Sequence, residues 1–323
     1  MALPRDRALL VKAARLYYEQ ELSQDQIAAE IGVSRSNVSR MLTDARNQGI
    51  VQIKIVEHAM RDSALEARLL EMLPIKHIRV ARSIEGIDET AAVGALAAEA
   101  LNERLRPNTK IAISWGTTLQ AVVNALEPEY FSGLEVVPIV GGMTPLSTSA
   151  SGDDLIRIMS QKLSATYQTI LAPAVVSSRE VRDAFTAEPS VQSVLEAATA
   201  SDIAVVGIGS ARSSSTMELL HTAGLPESMH NSLLHEMAGD TAARFFNIDG
   251  KELDHPWNDR IIGMQLADLK RIPFVIGAAA GSAKALGVIG AVNGGLLSEL
   301  VISSSTALGI IRHLDAVSGA QAS

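Results

Sequence analysis

The sequence predicts an α/β protein in two parts: an N-terminal helix-turn-helix domain and a large Rossmann-like domain built on a parallel sheet. Three observations support this prediction. Strand and helix patterns alternate through most of the chain, a glycine turn joins two short helices near the N-terminus, and the charges are divided unequally. The length of 323 residues also exceeds that of one small domain, so two units are expected.

The composition excludes several classes of protein. Hydrophobic residues make up 47% of the chain, which is enough for a packed core and excludes a fully disordered chain. Because cysteine is absent, disulfide scaffolds, thiolate zinc sites and cysteine nucleophiles are excluded. No apolar run has the length of a membrane-spanning helix, and the charged N-terminus is not typical of a signal peptide. We therefore expect a cytoplasmic protein with no membrane partner.

The charged residues are distributed unevenly along the chain. Residues 1–54 contain eight basic and six acidic residues, whereas the remainder has a net charge of −10. A basic head on an acidic body favours contact with nucleic acid through the head alone. Chance asymmetry in a short segment is the alternative, and the charge by itself does not decide between them.

Apolar spacing in the first segment predicts three helices. Residues 5–20 carry apolar side chains at three- and four-residue intervals, which predicts the first helix. Ser23, with Gln26 three residues later, predicts a capping box at the start of the second helix, and Gly32 ends that helix. Ser34 then begins the third.

The spacing of the second and third helices is typical of a helix-turn-helix that binds DNA. Ala28 lets two helices approach, Gly32 occupies the turn four residues later, and Val38 is the branched apolar residue ten positions after Ala28. At the start of the third helix, arginine favours guanine and asparagine favours adenine. The predicted DNA-binding residues are Ser34, Arg35, Ser36, Asn37, Ser39 and Arg40. A structural helical hairpin is the alternative, but it would more often carry Glu/Lys pairs there.

The domain limits follow from the next segment. Residues 50–56 alternate apolar and polar side chains, which predicts a strand that acts as a wing or as the first strand of the body. We therefore assign residues 1–56 to the DNA-binding domain, 57–62 to a linker and 63–323 to an effector-binding and oligomerisation domain.

Near-continuous apolar strands separated by helices predict a parallel sheet covered on both faces. The predicted strands are 77–81, 110–114, 135–140, 167–171, 203–208, 273–278 and 299–303. The main predicted helices between them are 89–104, 118–126, 153–163 and 281–292.

Open parallel sheets bind ligands beyond the carboxyl ends of their strands. After the second predicted strand come the candidate effector-binding residues Ser114, Gly116, Thr117 and Thr118, whose amides and hydroxyls could hold an anion at a helix N-terminus. An ordinary strand–turn–helix is the alternative, since Walker and dinucleotide motifs are absent. Lys284 could pair with a phosphate or hydroxyl, unless it is simply a solvated helix residue.

Catalytic and metal-binding motifs are missing from the sequence. Neither HExxH nor GxSxG occurs, and the seven histidines show no catalytic grouping. We therefore expect no metal, no cofactor and no enzymatic activity.

Several segments resemble the sorbitol-operon regulator (SorC) family of bacterial repressors and activators. The N-terminal match is LSQDQIAAEIGVSRSNVSRMLTDARNQGIVQIKI at 22–55. The body matches are ISWGTTL (113–119), VVPIVGGM (136–143), VVGIG (205–209), FNIDG (246–250) and GSAKALGVIGAVNGGLLSELVISSSTA (281–307). The family's body resembles sugar-phosphate isomerases, although a shared fold does not imply a shared reaction.

The resemblance implies a regulator of carbohydrate or polyol catabolism. Its binding to double-stranded operator DNA would change when a sugar, polyol or sugar phosphate binds the body. Gly116, Thr117 and Thr118 would hold the phosphate end, Asp249 would accept hydrogen bonds from sugar hydroxyls, and Lys284 would be the cationic contact. Because a palindromic operator needs two recognition helices, we expect a homodimer or homotetramer.

One segment departs from the family pattern. Where the family has an acidic pair, this chain has Ser303, Ser304 and Ser305, which indicates a different ligand or an altered subunit contact. Two other functions stay open: a sugar-phosphate-metabolising enzyme with an appended DNA-binding domain, and a DNA-binding scaffold without a small ligand. The enzyme would need an acid/base pair near Gly116, and the sequence does not indicate one.

Overall fold

A computed structural model describes most of the chain. The described residues are 7–51, 60–128, 130–143, 152–210, 216–217, 220 and 227–321. The chain divides into two compact units, Met1–His58 and Ala59–Ser323. The predicted strand at 50–56 lies, from residue 52 onward, outside the described residues.

The domain limits 1–56, 57–62 and 63–323 stay a prediction. Residues 59–62 of the predicted linker fall within the second unit, where the Asp62 amide donates to the Val80 carbonyl at 2.9 Å. The amide of Arg82 likewise donates to the carbonyl of Met60 at 2.7 Å.

The first unit contains the three predicted helices, α1 (Arg7–Tyr18), α2 (Gln24–Ile31) and α3 (Arg35–Asn47). The predicted capping box is present: the Ser23 hydroxyl accepts from the Gln26 amide, and the Gln26 side chain accepts from the Ser23 amide. Gly32 ends α2 at φ 73°, in the left-handed region that favours glycine.

All three helices contribute to the core of the first unit. Its fully or nearly fully buried side chains are Leu10, Ala13, Ala14, Leu16, Ile27, Ala28, Val38, Met41, Leu42 and Ala45. The burial of Ala28 and Val38 confirms the inward positions that the helix-turn-helix spacing predicts.

The second unit is built on a seven-stranded parallel sheet with the order β1-β9-β8-β5-β2-β3-β4. Its strands are β1 (His77–Ala81), β2 (Lys110–Ile113), β3 (Glu135–Pro138), β4 (Thr166–Tyr167), β5 (Ile203–Gly207), β8 (Phe274–Ala279) and β9 (Glu299–Ser303). A separate antiparallel hairpin contains β6 (Gly239–Thr241) and β7 (Arg244–Phe246). The predicted fold class, helix-turn-helix plus a parallel-sheet domain, is confirmed.

Helices cover both faces of this sheet. They are α4 (Ser63–Met72), α5 (Glu89–Asn102), α6 (Thr117–Ala125), α7 (Gly152–Leu163), α8 (Arg179–Ala187), α9 (Pro189–Thr199), α10 (Glu227–Glu236), α11 (Leu266–Leu269), α12 (Ala285–Asn293) and α13 (Ser304–Gln321). Helices α5, α6 and α7 share one buried apolar cluster, and α4, α12 and α13 share another. Helices α5 and α6 touch at Gly94, where a Cβ would lie 2.5 Å from the Ala121 carbonyl carbon.

A cluster of buried charges joins β1, β9 and the end of α5. Arg79 Nε donates to Glu299 Oε1 at 2.6 Å, and the Arg79 guanidinium also binds the Glu103 carboxylate. Arg104 Nη2 lies 2.7 Å from Glu299 Oε2. The hydrogen bonds from Arg79, first to Glu103, raise the pKa of that arginine above its ordinary value.

Candidate functional site

The start of α3 carries the predicted DNA-binding residues. Ser34 caps the helix, because its hydroxyl accepts from the Asn37 amide at 3.3 Å. The Ser34 and Ser36 hydroxyl oxygens lie 3.0 Å apart. Ser34 and the backbone of Asn37 therefore set where the helix begins.

Exposure divides α3 into two faces. Val38, Met41 and Leu42 are buried in the core of the first unit. Asn37 is half-buried, and the other predicted contacts are exposed: Ser34, Arg35, Ser36, Ser39 and Arg40. The structure thus brings all six residues to one accessible end of the helix, and their contacts with DNA stay a prediction.

One of these arginines has an acidic neighbour on the preceding helix. Arg35 Nε lies 3.8 Å from Asp25 Oδ2, and both side chains are largely exposed. An exposed pair at this distance contributes little to stability, so Arg35 can exchange this partner for a phosphate or a base.

In the second unit, five segments meet in a pocket at the carboxyl end of the sheet. They are the start of α6, the residues at the end of β5, Thr216, Asp240 of β6 and Lys284 before α12. The cavity volume is ≈ 50 Å³, which is room for a few water molecules or a small anionic group.

The start of α6 presents free backbone amides to this pocket. Gly116 precedes the helix with φ 129° and ψ 165°, and no side chain caps it. The first amides of a helix have no partner within the helix, so those of Thr117 and Thr118 are available to an anion. The hydroxyl-bearing side chain of Thr118 is half-buried and that of Thr117 is exposed.

Ser114, unlike the residues that follow it, lies outside the lining of this pocket. It is buried, and its hydroxyl accepts from the Gly207 amide at 3.3 Å. Ser114 therefore joins the ends of β2 and β5, and it does not line the pocket that Gly116 enters.

Asp240 is the carboxylate that lines the pocket. Its Oδ1 accepts from the Thr216 hydroxyl at 2.7 Å. A Cβ on Gly209 would lie 1.9 Å from Oδ1, so only glycine fits beside this carboxylate. Burial raises the pKa of Asp240, against the opposing effects of the Thr216 hydrogen bond and the Lys284 charge.

Lys284 faces the same pocket from its other side. Burial lowers the pKa of this lysine, while the charge of Asp240 raises it. Within the described part of the chain, the Lys284 ammonium has no carboxylate oxygen within 4.0 Å, so the two opposite charges do not close into a salt bridge. A hydroxyl or an anion between them could contact both.

The structure does not bring Asp249 to this pocket. Asp249 is exposed in the turn after β7, and the Asn293 side chain holds that turn by donating to the Ile248 carbonyl at 3.0 Å. The turn is therefore fixed at the C-terminal end of α12, whereas Lys284 precedes the N-terminal end, about 13 Å away along the helix. The structure therefore places Asp249 apart from Gly116 and Lys284, and its role as an acceptor for sugar hydroxyls stays a prediction.

Sequence reasoning missed Asp240 because its strand has no common hairpin signature. The two turn residues between β6 and β7 are Ala242 and Ala243, with φ 50° and 64°. Such a two-residue turn usually contains Asn-Gly or Asp-Gly, whose absence hid the hairpin. The sequence signal for Asp240 is the Gly-Asp pair at 239–240, because a glycine beside an acidic residue lets another backbone segment come close to it.

A larger cavity of ≈ 720 Å³ lies between α8, α9 and residues 261–271. Its buried cation is Arg244, which donates to the Glu252 carboxylate and to four backbone carbonyls. Those bonds use all the donors of a guanidinium, so Arg244 holds the chain together there and has none left for a ligand.

Among the described residues, no group of three or more His, Asp and Glu side chains could hold a metal ion. In that same part of the chain, no helix is both long enough and apolar enough to cross a membrane.

Comparison with known protein families gives two matches. Residues 57–312 match the family described as "Putative sugar-binding domain". Residues 4–48 match "Sigma-70, region 4".

Curated relatives match along nearly the full length. The sorbitol operon regulator of Klebsiella pneumoniae is 30% identical, over 94% of this chain and 97% of its own. The deoxyribonucleoside regulator of Bacillus subtilis is 28% identical, over 95% of this chain and 98% of its own. The crystal structure of the full-length Klebsiella pneumoniae regulator SorC has a TM-score of 0.69 and 30% identity, covering 93% of this chain and 97% of that one.

Proposed function

Because the chain belongs to the sugar-binding domain family of SorC-type transcriptional regulators, we propose that it controls carbohydrate or polyol catabolism by binding operator DNA in response to a sugar-derived effector. Arg35, Asn37 and Arg40 read the operator. Gly116, Thr117, Thr118 and Lys284 hold an anionic effector, and Asp240 accepts a hydrogen bond from one of its hydroxyls. The protein acts in the cytoplasm, without a metal or cofactor.

The observation that carries the proposal is the pocket itself, where the first amides of α6 meet Lys284, whose ammonium has no carboxylate oxygen within 4.0 Å among the described residues. The second part of the chain is strongly acidic, so bulk charge repels an anion. Recruitment must be local, and charge-assisted hydrogen bonds contribute about 1.5–3 kcal/mol each. Lys284, desolvated and without a carboxylate in contact, supplies the charge that the pocket needs.

Asp240 adds selectivity for a ligand that carries hydroxyl groups. Thr216 occupies one carboxylate oxygen, which orients the carboxylate toward the pocket. A hydroxyl can donate to this group, whereas a bare phosphate at the same position would be repelled. The sugar or polyol part of the ligand therefore lies against Asp240 and the phosphate lies against Gly116.

Operator binding requires a second copy of the chain. A single α3 contacts one half-site, and a palindromic operator presents two. We therefore propose a homodimer or a homotetramer, whose mass in solution is measurable by sedimentation or light scattering.

An enzyme with an appended DNA-binding domain is the second candidate. It is favoured by the carboxyl group of Asp240 and the amine of Lys284, whose pKa values are shifted in opposite directions within one pocket. We favour the regulator, because the chain matches the two named regulators along nearly their whole length.

The test is a thermal-shift screen with sugars, polyols and their phosphates, followed by titration calorimetry with each stabilising phosphate and its dephosphorylated form. We expect tighter binding of the phosphorylated form, a loss of that preference in Lys284→Ala, and no loss in the exposed control Lys270→Ala. Turnover of the ligand would support the enzyme. Equal affinity for both forms, unchanged in Lys284→Ala, would show that the pocket reads hydroxyls alone. No response to any compound would favour the scaffold without a ligand.

A further inference from the structure

Four consecutive hydroxyl side chains, here named the hydroxyl row, follow β9 into the start of α13. They are Ser303, Ser304, Ser305 and Thr306. All except Ser305 are buried, so their hydroxyl groups need partners inside the protein. The Ser304 hydroxyl finds its partner in the neighbouring strand, since it donates to the Ala81 carbonyl at 2.9 Å.

Ser303 and Thr306 of the hydroxyl row bind the backbone of Gly281. The Gly281 amide donates to Ser303 Oγ at 3.2 Å, and the Thr306 hydroxyl donates to the Gly281 carbonyl at 3.0 Å. Ser303 Oγ and Thr306 Oγ1 are themselves 3.0 Å apart. Gly281 has φ 101°, in the region that favours glycine, and these bonds fix it there.

Gly281 begins the short turn that ends at Lys284. The Lys284 amide donates to the Gly281 carbonyl at 3.0 Å. The carbonyl of Ala283, the residue before Lys284, accepts from the Ser210 hydroxyl at 2.6 Å. The direction in which the Lys284 side chain leaves the backbone is thus set by the hydroxyl row on one side and Ser210 on the other.

A carboxylate on another helix completes this chain of hydrogen bonds. Ser305 Oγ lies 3.1 Å from Ser303 Oγ and donates to Glu89 Oε2 at 2.5 Å. A Cβ built on Gly281 would lie 3.6 Å from Glu89 Oε1, so the carboxylate lies against the turn. Glu89 is the first residue of α5, whose N-terminus favours a negative charge.

We propose that Glu89 is a positioning residue for the effector site. Acting through Ser305 and Ser303, it fixes the Gly281–Lys284 turn and thereby the place of the Lys284 ammonium in the pocket. This inference rests on the proposed function, because it takes Lys284 as the cation that binds the anionic effector.

Positioning and plain electrostatics predict opposite effects of mutation. If only electrostatics mattered, removing the Glu89 carboxylate near an anion site would strengthen anion binding. Ser305→Ala, which changes no charge, would leave binding unaltered. Positioning predicts weaker binding for Glu89→Ala and Ser305→Ala. It predicts near-normal binding for Glu89→Gln, whose amide oxygen still accepts from Ser305, and for Ser305→Thr, which keeps the hydroxyl.

The experiment titrates the full-length variants with inorganic phosphate and follows the tryptophan fluorescence, since Trp115 lines the pocket and the second tryptophan, Trp257, is fully buried away from it. Thermal unfolding of each variant shows that it is folded. We expect phosphate affinity to fall about 3–10-fold in Glu89→Ala and Ser305→Ala, the equivalent of one hydrogen bond. We expect no change in Glu85→Gln, an exposed carboxylate earlier in the same segment. In a Lys284→Ala background, Ser305→Ala should cause no further loss.

The outcomes separate the two proposals. If the wild type does not bind phosphate, or if Lys284→Ala binds it normally, the effector site is wrong and the positioning role falls with it. If Lys284→Ala weakens binding but Ser305→Ala does not, the effector site stands and the role of Glu89 is wrong. A loss in Ser305→Ala that simply adds to that of Lys284→Ala also overturns positioning, because the serine then acts independently of the lysine.

Discussion

Arg79 of β1 and Glu299 of β9 form an ion pair in which both side chains are almost fully buried, with 2.6 Å between Nε and Oε1. Burying two charges is costly, and the geometry and surrounding hydrogen bonds must offset that cost. The exposed Glu103 and the half-buried Arg104 extend the pair toward the surface. The pair therefore fixes which strand lies beside β1 at that edge of the sheet.

Removing one partner of this pair leaves a buried charge uncompensated. We expect Glu299→Ala to lower the free energy of unfolding of the second unit by roughly 3–5 kcal/mol. Urea unfolding followed by tryptophan fluorescence measures it, since both tryptophans lie in that unit. Asp315→Ala, which breaks an exposed pair with Arg68, is the control and should cost about 0–1 kcal/mol. Equal effects of the two changes would contradict a structural role for the buried pair.

Gly116 holds a backbone conformation that is essentially restricted to glycine. A Cβ there would meet no heavy atom within 4 Å, so the cost of Gly116→Ala comes from the backbone alone. We expect destabilisation of roughly 1–3 kcal/mol, together with weaker effector binding if the α6 amides turn away. The control is Gly295, which also has a positive φ and open space around it but lies outside the pocket. Gly295→Ala should therefore lower stability without changing ligand affinity. Unchanged stability in Gly116→Ala would show that the turn relaxes freely.

The raised pKa of Asp240 gives the stability of the second unit a pH dependence. Since the folded-state pKa exceeds the unfolded value near 3.8, the folded protein binds the proton more tightly. Stability from this group is fully present below pH 3.8 and is lost as the pH rises through the folded-state pKa. Relative to Asp240→Asn, the wild type should therefore gain stability as the pH falls through the folded-state pKa toward 3.8, by at most about 1.4 kcal/mol per pH unit.

Urea unfolding at a series of pH values compares the two proteins. The comparison is repeated with Lys284→Met in both, because the charge of Lys284 lowers the pKa of Asp240. Without that charge, the pH-dependent difference should extend to higher pH. Parallel stability curves for wild type and Asp240→Asn would contradict the raised pKa.

Side chains at the start of α3 are expected to contact the operator, so their removal should weaken DNA binding. We expect Arg35→Ala and Asn37→Ala to weaken operator binding by roughly 1–3 kcal/mol each and to relax the preference for the contacted base. Arg15→Ala, at an exposed arginine of α1, is the control for the loss of one positive charge. Fluorescence anisotropy with operator and scrambled duplexes provides the measurement. If Arg35→Ala and Asn37→Ala left both affinity and sequence preference unchanged, the assignment of this helix end would be wrong.

The parts of the fold that sequence patterns predict are those where local and tertiary preferences agree. Strand β9 is apolar and bounded by turns, and its predicted limits, Glu299 and Ser303, match the structure. The edge strand β4 is shorter than predicted: it ends at Tyr167, although the Gln168 amide still donates to the Val136 carbonyl of β3 at 3.0 Å. The hairpin at β6 and β7 depends on tertiary packing that forces Ala242 and Ala243 to positive φ, and no sequence rule anticipates that.

For the effector pocket too, the sequence predicts the residues whose place depends on the order of strands and helices. Gly116, Thr117, Thr118 and Lys284 follow strands or begin helices, so their place at the carboxyl end of the sheet follows from topology. Asp240 comes from the unpredicted hairpin. Asp249 carries a carboxylate of the expected kind, but the turn that contains it packs against the far end of α12.

The pairing of β1 with β9 has a consequence for how the protein is made. Arg79 and Glu299 are 220 residues apart, so the ribosome must finish nearly the whole chain before β1 meets its strand partner. At about 5–20 residues per second, this wait lasts roughly 10–45 s, during which β1 lacks its partner strand β9. The helix-turn-helix needs only local contacts and can fold as it emerges. A newly made chain therefore has a folded DNA-binding head well before its sensor domain is complete.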